Sequence, residues 1–189
     1  MPALLGEADL VKTLQQLPGV AVGTEGMTGL YVRGGGADEN LYLLDGNPVY
    51  HVNHLLGFFS AFNPDAIKNT RFYKGSFPAE YGGRLSSVVD VRMNDGNRQE
   101  YHGNISVGLL SARANLEGPI VKDRSSFNVS VRRTWLDLIT GTALAIINKN
   151  SDTKESFGYH FFDINAKVNH SFSERSRAYL SFYICLLYT

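Results

Sequence analysis

His51 and His54 stand three residues apart, on either side of Asn53. On a helix that spacing would put both imidazoles on one face, where ring nitrogens could bind a transition metal or touch a ligand. Pro48 and Asn53 argue for a loop instead, and no carboxylate lies close enough in sequence to complete a metal set. The pair therefore reads either as two exposed loop histidines or as a ligand contact, and no metal site is assigned. Gly34-Gly35-Gly36 lacks both the Gly-Lys-Ser/Thr ending and the long following helix of a phosphate loop. Ser86-Ser87 has no positioned His and Asp partners for nucleophilic catalysis. A hydrolase built on Asp45, His51 and His54 ranks behind the non-enzymatic readings, and an activity screen separates it from them. Cys185 is the single cysteine, so the chain can form no internal disulfide. No enzyme activity and no cofactor are assigned.

These residues must be positioned by short elements. Residues 7–16 read as a helix: Leu10, Leu14 and Leu17 repeat at i, i+4 and i+7, Glu7 and Asp9 suit a first turn, and Pro18-Gly19 stops it. Short strands follow at Leu30 to Arg33 and at Leu41 to Leu44, the second running into the turn Asp45-Gly46-Asn47-Pro48. Asn63-Pro64-Asp65 reads as a helix cap with Pro at the first helical position. Arg71 to Tyr73 and Ser87 to Val91 complete a compact α+β region of residues 1–97 with a small mixed sheet.

From residue 98 the pattern changes to long strands with a period of two. Phe127, Val129, Val131 and Arg133 alternate with Ser126, Asn128, Ser130 and Arg132. Phe162, Ile164, Ala166 and Val168 alternate with Asp163, Asn165, Lys167 and Asn169. Ala178, Leu180, Phe182 and Ile184 do the same against Arg177, Tyr179, Ser181 and Tyr183. Such two-faced strands fit a transmembrane β-barrel, apolar toward lipid, or a soluble sandwich with one wet face. The connections at 118–124 and 173–176 are short and the one at 137–160 is long. Outer-membrane barrels alternate in that way, with short periplasmic turns and longer outer loops. Between residues 105 and 116 the apolar phase slips, which means a β-bulge or a tight hairpin. The hairpin is preferred, with Ile105 to Val107 laddered on Ala114 to Leu116. Cys185 to Thr189 does not continue the polar alternation.

Bulk properties narrow the class. Eighteen basic residues balance eighteen acidic ones, which argues against a general nucleic-acid binder, since that needs a basic excess or stripe. No apolar run approaches the roughly 20 residues of a membrane-spanning helix. The first residues lack the basic-then-apolar pattern of a signal peptide.

Several segments resemble, in order and at natural spacing, the plug domain of TonB-dependent receptors. Asp9 to Val20 (DLVKTLQQLPGV) is similar to the opening helix, and Tyr31 to Gly35 (YVRGG) to the V/I-R-G strand end. Asn40 to Val49 (NLYLLDGNPV) is similar to the L-L-D-G-x-P-V segment. Lys74-Gly75 with Ala79 to Val89 (AEYGGRLSSVV) resembles the late motif, and Asn115 to Thr134 fits opening barrel strands. The wording is closest to receptors of the Bacteroidetes type.

The resemblance implies a fold class of α+β plug (residues 1–97) followed by antiparallel strands of a truncated transmembrane β-barrel (residues 98–189). It implies a bacterial outer-membrane location and energy-coupled uptake of a scarce, bulky nutrient of the siderophore, cobalamin or glycan class. The implied partners are outer-membrane lipid, the extracellular ligand, a surface lipoprotein, and TonB, through a TonB box these residues do not contain. By position, the apical plug loops would present Thr24, Glu25, Met27, Tyr50, His51, Asn53 and His54 to ligand. Arg33, Lys74 and Arg84 would form a charge lock with carboxylates inside the barrel wall; the alternative for the arginines is a local salt bridge, for example with Asp45 or Asp90. A soluble β-rich ligand-binding module is the competing reading, and membrane partitioning decides between the two.

Overall fold

The computed structural model describes residues 3–4, 7–23, 28–54, 57–137, 140–142 and 158–188. The first elements are a two-stranded ribbon, β1 (Ala3–Leu4) and β2 (Glu7–Ala8), and helix α1 (Leu10–Gln15). Asp9 caps the helix from an extended conformation, its carboxylate accepting the Lys12 N–H at 3.1 Å. The helix is thus shorter than the expected 7–16. Glu7 and Ala8 are committed to the ribbon, and Asp9 is the cap rather than a first-turn residue. Leu10, Val11 and Leu14 are buried, whereas Leu17, expected on the same stripe, lies past the helix end and is exposed.

Strands β3 (Val20–Ala21) and β4 (Tyr31–Val32) pair antiparallel. Next come β5 (Asn40–Leu44) and β6 (Asn47–Pro48), joined by a two-residue turn in which Asp45 and Gly46 have φ of 51° and 87°. That turn needs two left-handed residues, which Asp-Gly supplies cheaply. A small hairpin follows, β7 (Asn53–His54) with β8 (Phe59–Ser60). Asn63 then caps a 3-10 turn, Pro64–Ala66, with Pro at its start as the Asn-Pro-Asp motif predicts. Strands β9 (Ile67–Tyr73) and β10 (Ser87–Met93) complete a mixed sheet in the order β6-β5-β10-β9, in which β5 and β10 run parallel. Leu10, Val11, Leu30, Val32, Phe62, Val89, Val91 and Met93 form its core, and Tyr183 from a later strand packs at the edge.

The remaining strands make one antiparallel sheet in sequence order: β11 (His102–Val107), β12 (Ser111–Val121), β13 (Ser125–Thr134), β14 (His160–Ser173) and β15 (Ser176–Tyr188). The phase slip is the hairpin: Ile105 pairs with Ala114 and Val107 with Ala112. Its two arms are unequal, because β12 continues past Gly118 to Val121. The turn expected over 118–124 is therefore confined to residues 122–124, with Asp123 at φ 64°. Strand β15 also continues where the side-chain alternation lapses, with Cys185 opposite Asp163 and Tyr188 opposite His160. Ladder hydrogen bonds are made by the backbone, so they persist whatever the side chains do. Among the described residues no helix is long and apolar enough to cross a membrane; strands are not covered by that statement.

The faces of this sheet are inverted relative to a soluble one. Ser126, Asn128, Ser130 and Arg132 on β13 are buried, as are Asp163, Asn165, Lys167 and Asn169 on β14. Meanwhile Ile105 is 80% exposed, Leu180 76% and Phe182 55%. The polar face lies on the N-terminal unit and the apolar face points out. A soluble sandwich buries its apolar faces against each other.

Candidate functional site

The seam between the N-terminal unit and the five-stranded sheet is where the buried polar chemistry collects. Parity along β14 turns Lys167 inward at the middle of the strand. Its ammonium lies 3.2 Å from both carboxylate oxygens of Asp45, at the β5–β6 turn, and 2.9 Å from Asp95 Oδ1. It also donates to the Met93 carbonyl at 3.2 Å and sits 4.6 Å above the Tyr179 ring. Lys167 is 4% exposed, so these contacts replace its hydration. Burial tends to raise the Asp95 carboxyl, but hydrogen bonds and charge from Lys68 and Lys167 outweigh that and hold it at about 2. Beside Asp95, Gly96 has φ 82° and its α-carbon lies against the backbone of Phe127 on β13: an added Cβ would meet Phe127 O at 2.1 Å. Ser126 Oγ donates to the Asp95 carbonyl at 2.6 Å, which fastens the same stretch.

A second cluster lies toward the β13–β14 connection. Arg132 donates through Nε to Asp163 Oδ2 at 3.0 Å, with a second bond from Nη2 to the same oxygen. Arg132 Nη2 also donates to the Ser60 carbonyl at 2.9 Å. The other carboxylate oxygen, Asp163 Oδ1, lies 3.3 Å from His54 Nε2, and the His54 ring packs against Phe161, tilted by 35° at 4.4 Å between centroids. Farther along the seam, Asn63 Nδ2 donates to Ser130 Oγ at 2.8 Å, and Arg113 Nε lies 3.5 Å from Asp65 Oδ2. Asn94 Nδ2 donates to Glu117 Oε2 at 2.7 Å.

His54 is therefore not an exposed loop histidine: it is 2% exposed, inside β7, with a carboxylate beside it. The acid was invisible along the chain because Asp163 is more than a hundred residues away. Cys185 Sγ lies 3.7 Å from His54 Nε2, so His, Asp and Cys donors converge. The Arg132 guanidinium already occupies the same carboxylate and supplies the positive charge that a metal would bring, so no metal is assigned.

Of the other expected contact residues, Tyr50 is 83% exposed and His51 is also exposed. A cavity of about 360 Å³ brings Tyr50, His51 and His54 together with Tyr183, Cys185 and Leu187. The Asn53 amide lies 2.5 Å from Thr28 Oγ1 and is partly buried. Thr24, Glu25 and Met27 lie outside the described residues. Lys74 donates to the Pro18 carbonyl at 2.7 Å, and Arg33 and Arg84 are exposed. The local acids considered for these arginines are engaged elsewhere, Asp45 by Lys167 and Asp90 by Arg92 at 3.2 Å. Where the N-terminal unit and these strands form ion pairs through Lys167 and Arg113, the cation is on the strand and the carboxylate on the N-terminal unit. Sequence reasoning had not singled out Lys167, Arg132 or Asp163. The available signal was a charged residue on a strand face otherwise made of Ser and Asn.

The sequence profile of the TonB-dependent receptor plug domain matches residues 4–89. No curated protein sequence matches the chain significantly. Among solved structures, the siderophore receptor PirA from Acinetobacter baumannii superposes with a TM-score of 0.62 at 20% identity, over 94% of this chain and 29% of that one. PirA from Pseudomonas aeruginosa gives 0.60 at 19% identity, over 95% and 32%. A mutant of the ferric enterobactin receptor from Pseudomonas aeruginosa gives 0.57 at 21% identity, over 94% and 30%. This chain thus spans about a third of the length of those receptors, and the match extends past the profile into the five-stranded sheet.

Proposed function

We infer that this chain belongs to the TonB-dependent receptor family, with a plug domain over residues 4–89 followed by antiparallel strands like those that open a receptor barrel, and that it serves energy-coupled uptake across the bacterial outer membrane rather than catalysis. We read residues 1–97 as the plug unit and 98–189 as wall strands. In that arrangement the long connection 137–160 faces the outside, and the turns at 122–124 and 174–175 face the periplasm. The cargo is a scarce, bulky nutrient, with siderophore, cobalamin and glycan all open. TonB, outer-membrane lipid and a surface lipoprotein are the proposed partners.

One observation carries the membrane reading: the inverted faces of β13 and β14. Buried Asn, Ser, Lys and Asp against the plug, with Val129 and Val168 outside, fit a sheet whose outer solvent is lipid. Val129, at the centre of β13 and opposite Ala166, points outward. Val129→Arg should therefore cost about 2–4 kcal/mol of stability in lipid vesicles. A soluble module would shrug off the change, within about 0.5 kcal/mol, and would stay monodisperse without detergent. Either result would end the membrane reading.

For the ligand, we propose that the apical loops make contact through Tyr50, His51 and Asn53, together with Thr24, Glu25 and Met27, while His54 braces them from the seam. In the full-length receptor, Tyr50→Ala with His51→Ala should weaken binding about tenfold, the scale of losing one good contact, with outer-membrane insertion intact. Ferric siderophores are the first probe, since the structural neighbours are siderophore receptors. Unchanged affinity would make both residues ordinary solvated loop positions. Arg33, Lys74 and Arg84 are retained as a proposed charge lock; Arg84→Ala leaving plug docking unaltered would remove the last of these from the set.

A further inference from the structure

One segment of the plug, residues 58–63, is held from both sides by buried polar groups. From the helix side, Lys12 Nζ donates to the Phe58 carbonyl, and Asp9 Oδ2 accepts the Ser60 N–H at 2.7 Å. Asp9 uses its other oxygen to cap helix α1 through Lys12 N. From the wall side, Arg132 Nη2 donates to the Ser60 carbonyl at 2.9 Å, and Asn63 donates to Ser130 Oγ at 2.8 Å. Ser60 thus has its N–H on the helix cap and its C=O on the wall. Asp9, Ser60, Asn63, Arg132 and Asp163 are each at most 3% exposed. Bulk water cannot replace a lost partner at any of them, so displacing one leaves the next buried group unpaired.

We propose that segment 58–63 couples the wall to the N-terminal helix: the Arg132–Asp163 pair holds Ser60 where its N–H reaches Asp9, and so sets the order of α1. Such a coupling is reciprocal, because a shared free energy acts in both directions. Disturbing Asp9 must loosen the wall contact as much as breaking the wall pair loosens the helix. The inference goes beyond transport as such and concerns which parts of the plug move together. It requires no ligand, so its failure would leave the transport reading untouched.

Hydrogen exchange of the full-length receptor in detergent tests it. Asp163→Asn removes the charge that fixes Arg132, and exchange across α1 should rise about tenfold. Ser126→Ala, which breaks a different seam bond far from Ser60, should leave α1 protected. Asp9→Asn combined with Asp163→Asn should lower the melting temperature by less than the sum of the single effects. If Asp163→Asn does not fold, Arg132→Lys keeps the charge, loses the fork and should give the same exchange pattern. The proposal is overturned if α1 stays protected in these wall variants, if Ser126→Ala opens it equally, or if the two effects simply add.

Discussion

Lys167→Ala should unfasten the plug sheet from the wall, at a cost of about 3–5 kcal/mol in the unfolding of the chain in detergent. The ammonium is the shared partner of Asp45 and Asp95, and both it and Asp45 are nearly inaccessible to water. Removing it leaves the Asp45 carboxylate buried with its charge uncompensated, and that residual penalty, rather than the lost attraction, dominates the effect. Lys167→Met should destabilise almost as much, since filling the space does not restore the charge. Acid titration gives an independent check. The Asp95 carboxyl is held at about 2, below its ordinary value, so its stabilisation is complete above roughly pH 4 and is lost as the pH falls through about 2. Without Lys167 only the more exposed Lys68 remains, and the acid loss should begin at higher pH. An unchanged acid midpoint in Lys167→Ala would show that the clamp does not form.

Gly96→Val should be comparably severe. Here the obstacle is backbone on backbone: the new Cβ would lie 2.1 Å from Phe127 O and 2.6 Å from Phe127 C, neither of which belongs to a side chain that could swing away. The φ of 82° adds the strain of a left-handed β-branched residue. Overpacking and strain together amount to about 3–5 kcal/mol. The expected signature is specific: the stretch that carries Asp95 lifts off β13, breaking the Ser126 and Lys167 contacts with it, while the plug core remains. Gly82→Val is the matched control, with nothing within 4 Å of its added Cβ and an expected effect within about 0.5 kcal/mol. Equal melting temperatures for the two variants would refute the close approach.

The two predictions share a cause. The plug and wall meet chiefly through charges, amides and hydroxyls, with Phe161 and Tyr183 as apolar contacts, so the seam depends on individual partners. Removing one partner from such a seam costs more than the bond itself contributed, because its mate remains dry and unpaired.

The sequence by itself determined the local structure and the solvent logic. The Asp45-Gly46 turn, the Asn63 cap and the period-two strands are consequences of neighbouring residues, and they could be read without knowing the fold. The phase slip between Leu109 and Leu110 left a bulge and a hairpin both open, and the need for two strands ahead of the next short turn favoured the hairpin, which the pairing of Ile105 with Ala114 bears out. Helix α1 was legible as a stripe of leucines but not in its start, since Asp9 spends its carboxylate on the cap and on Ser60, fifty-one residues away. What only the tertiary structure decided is which side of each wall strand meets the plug and who partners whom there. Alternation separates Lys167 and Asp163 from Val168 and Ile164, but it does not say that the polar set is the buried one. That choice depends on the solvent outside and on the carboxylates and carbonyls that the plug presents inside. Lys167 and Asp45 are 122 residues apart, and His54 and Asp163 are farther from one another in sequence than from most of the residues they ignore. Charge pairing acts over a few ångströms in space and carries no trace in sequence spacing, so the seam was set by docking, while the elements that dock were set locally.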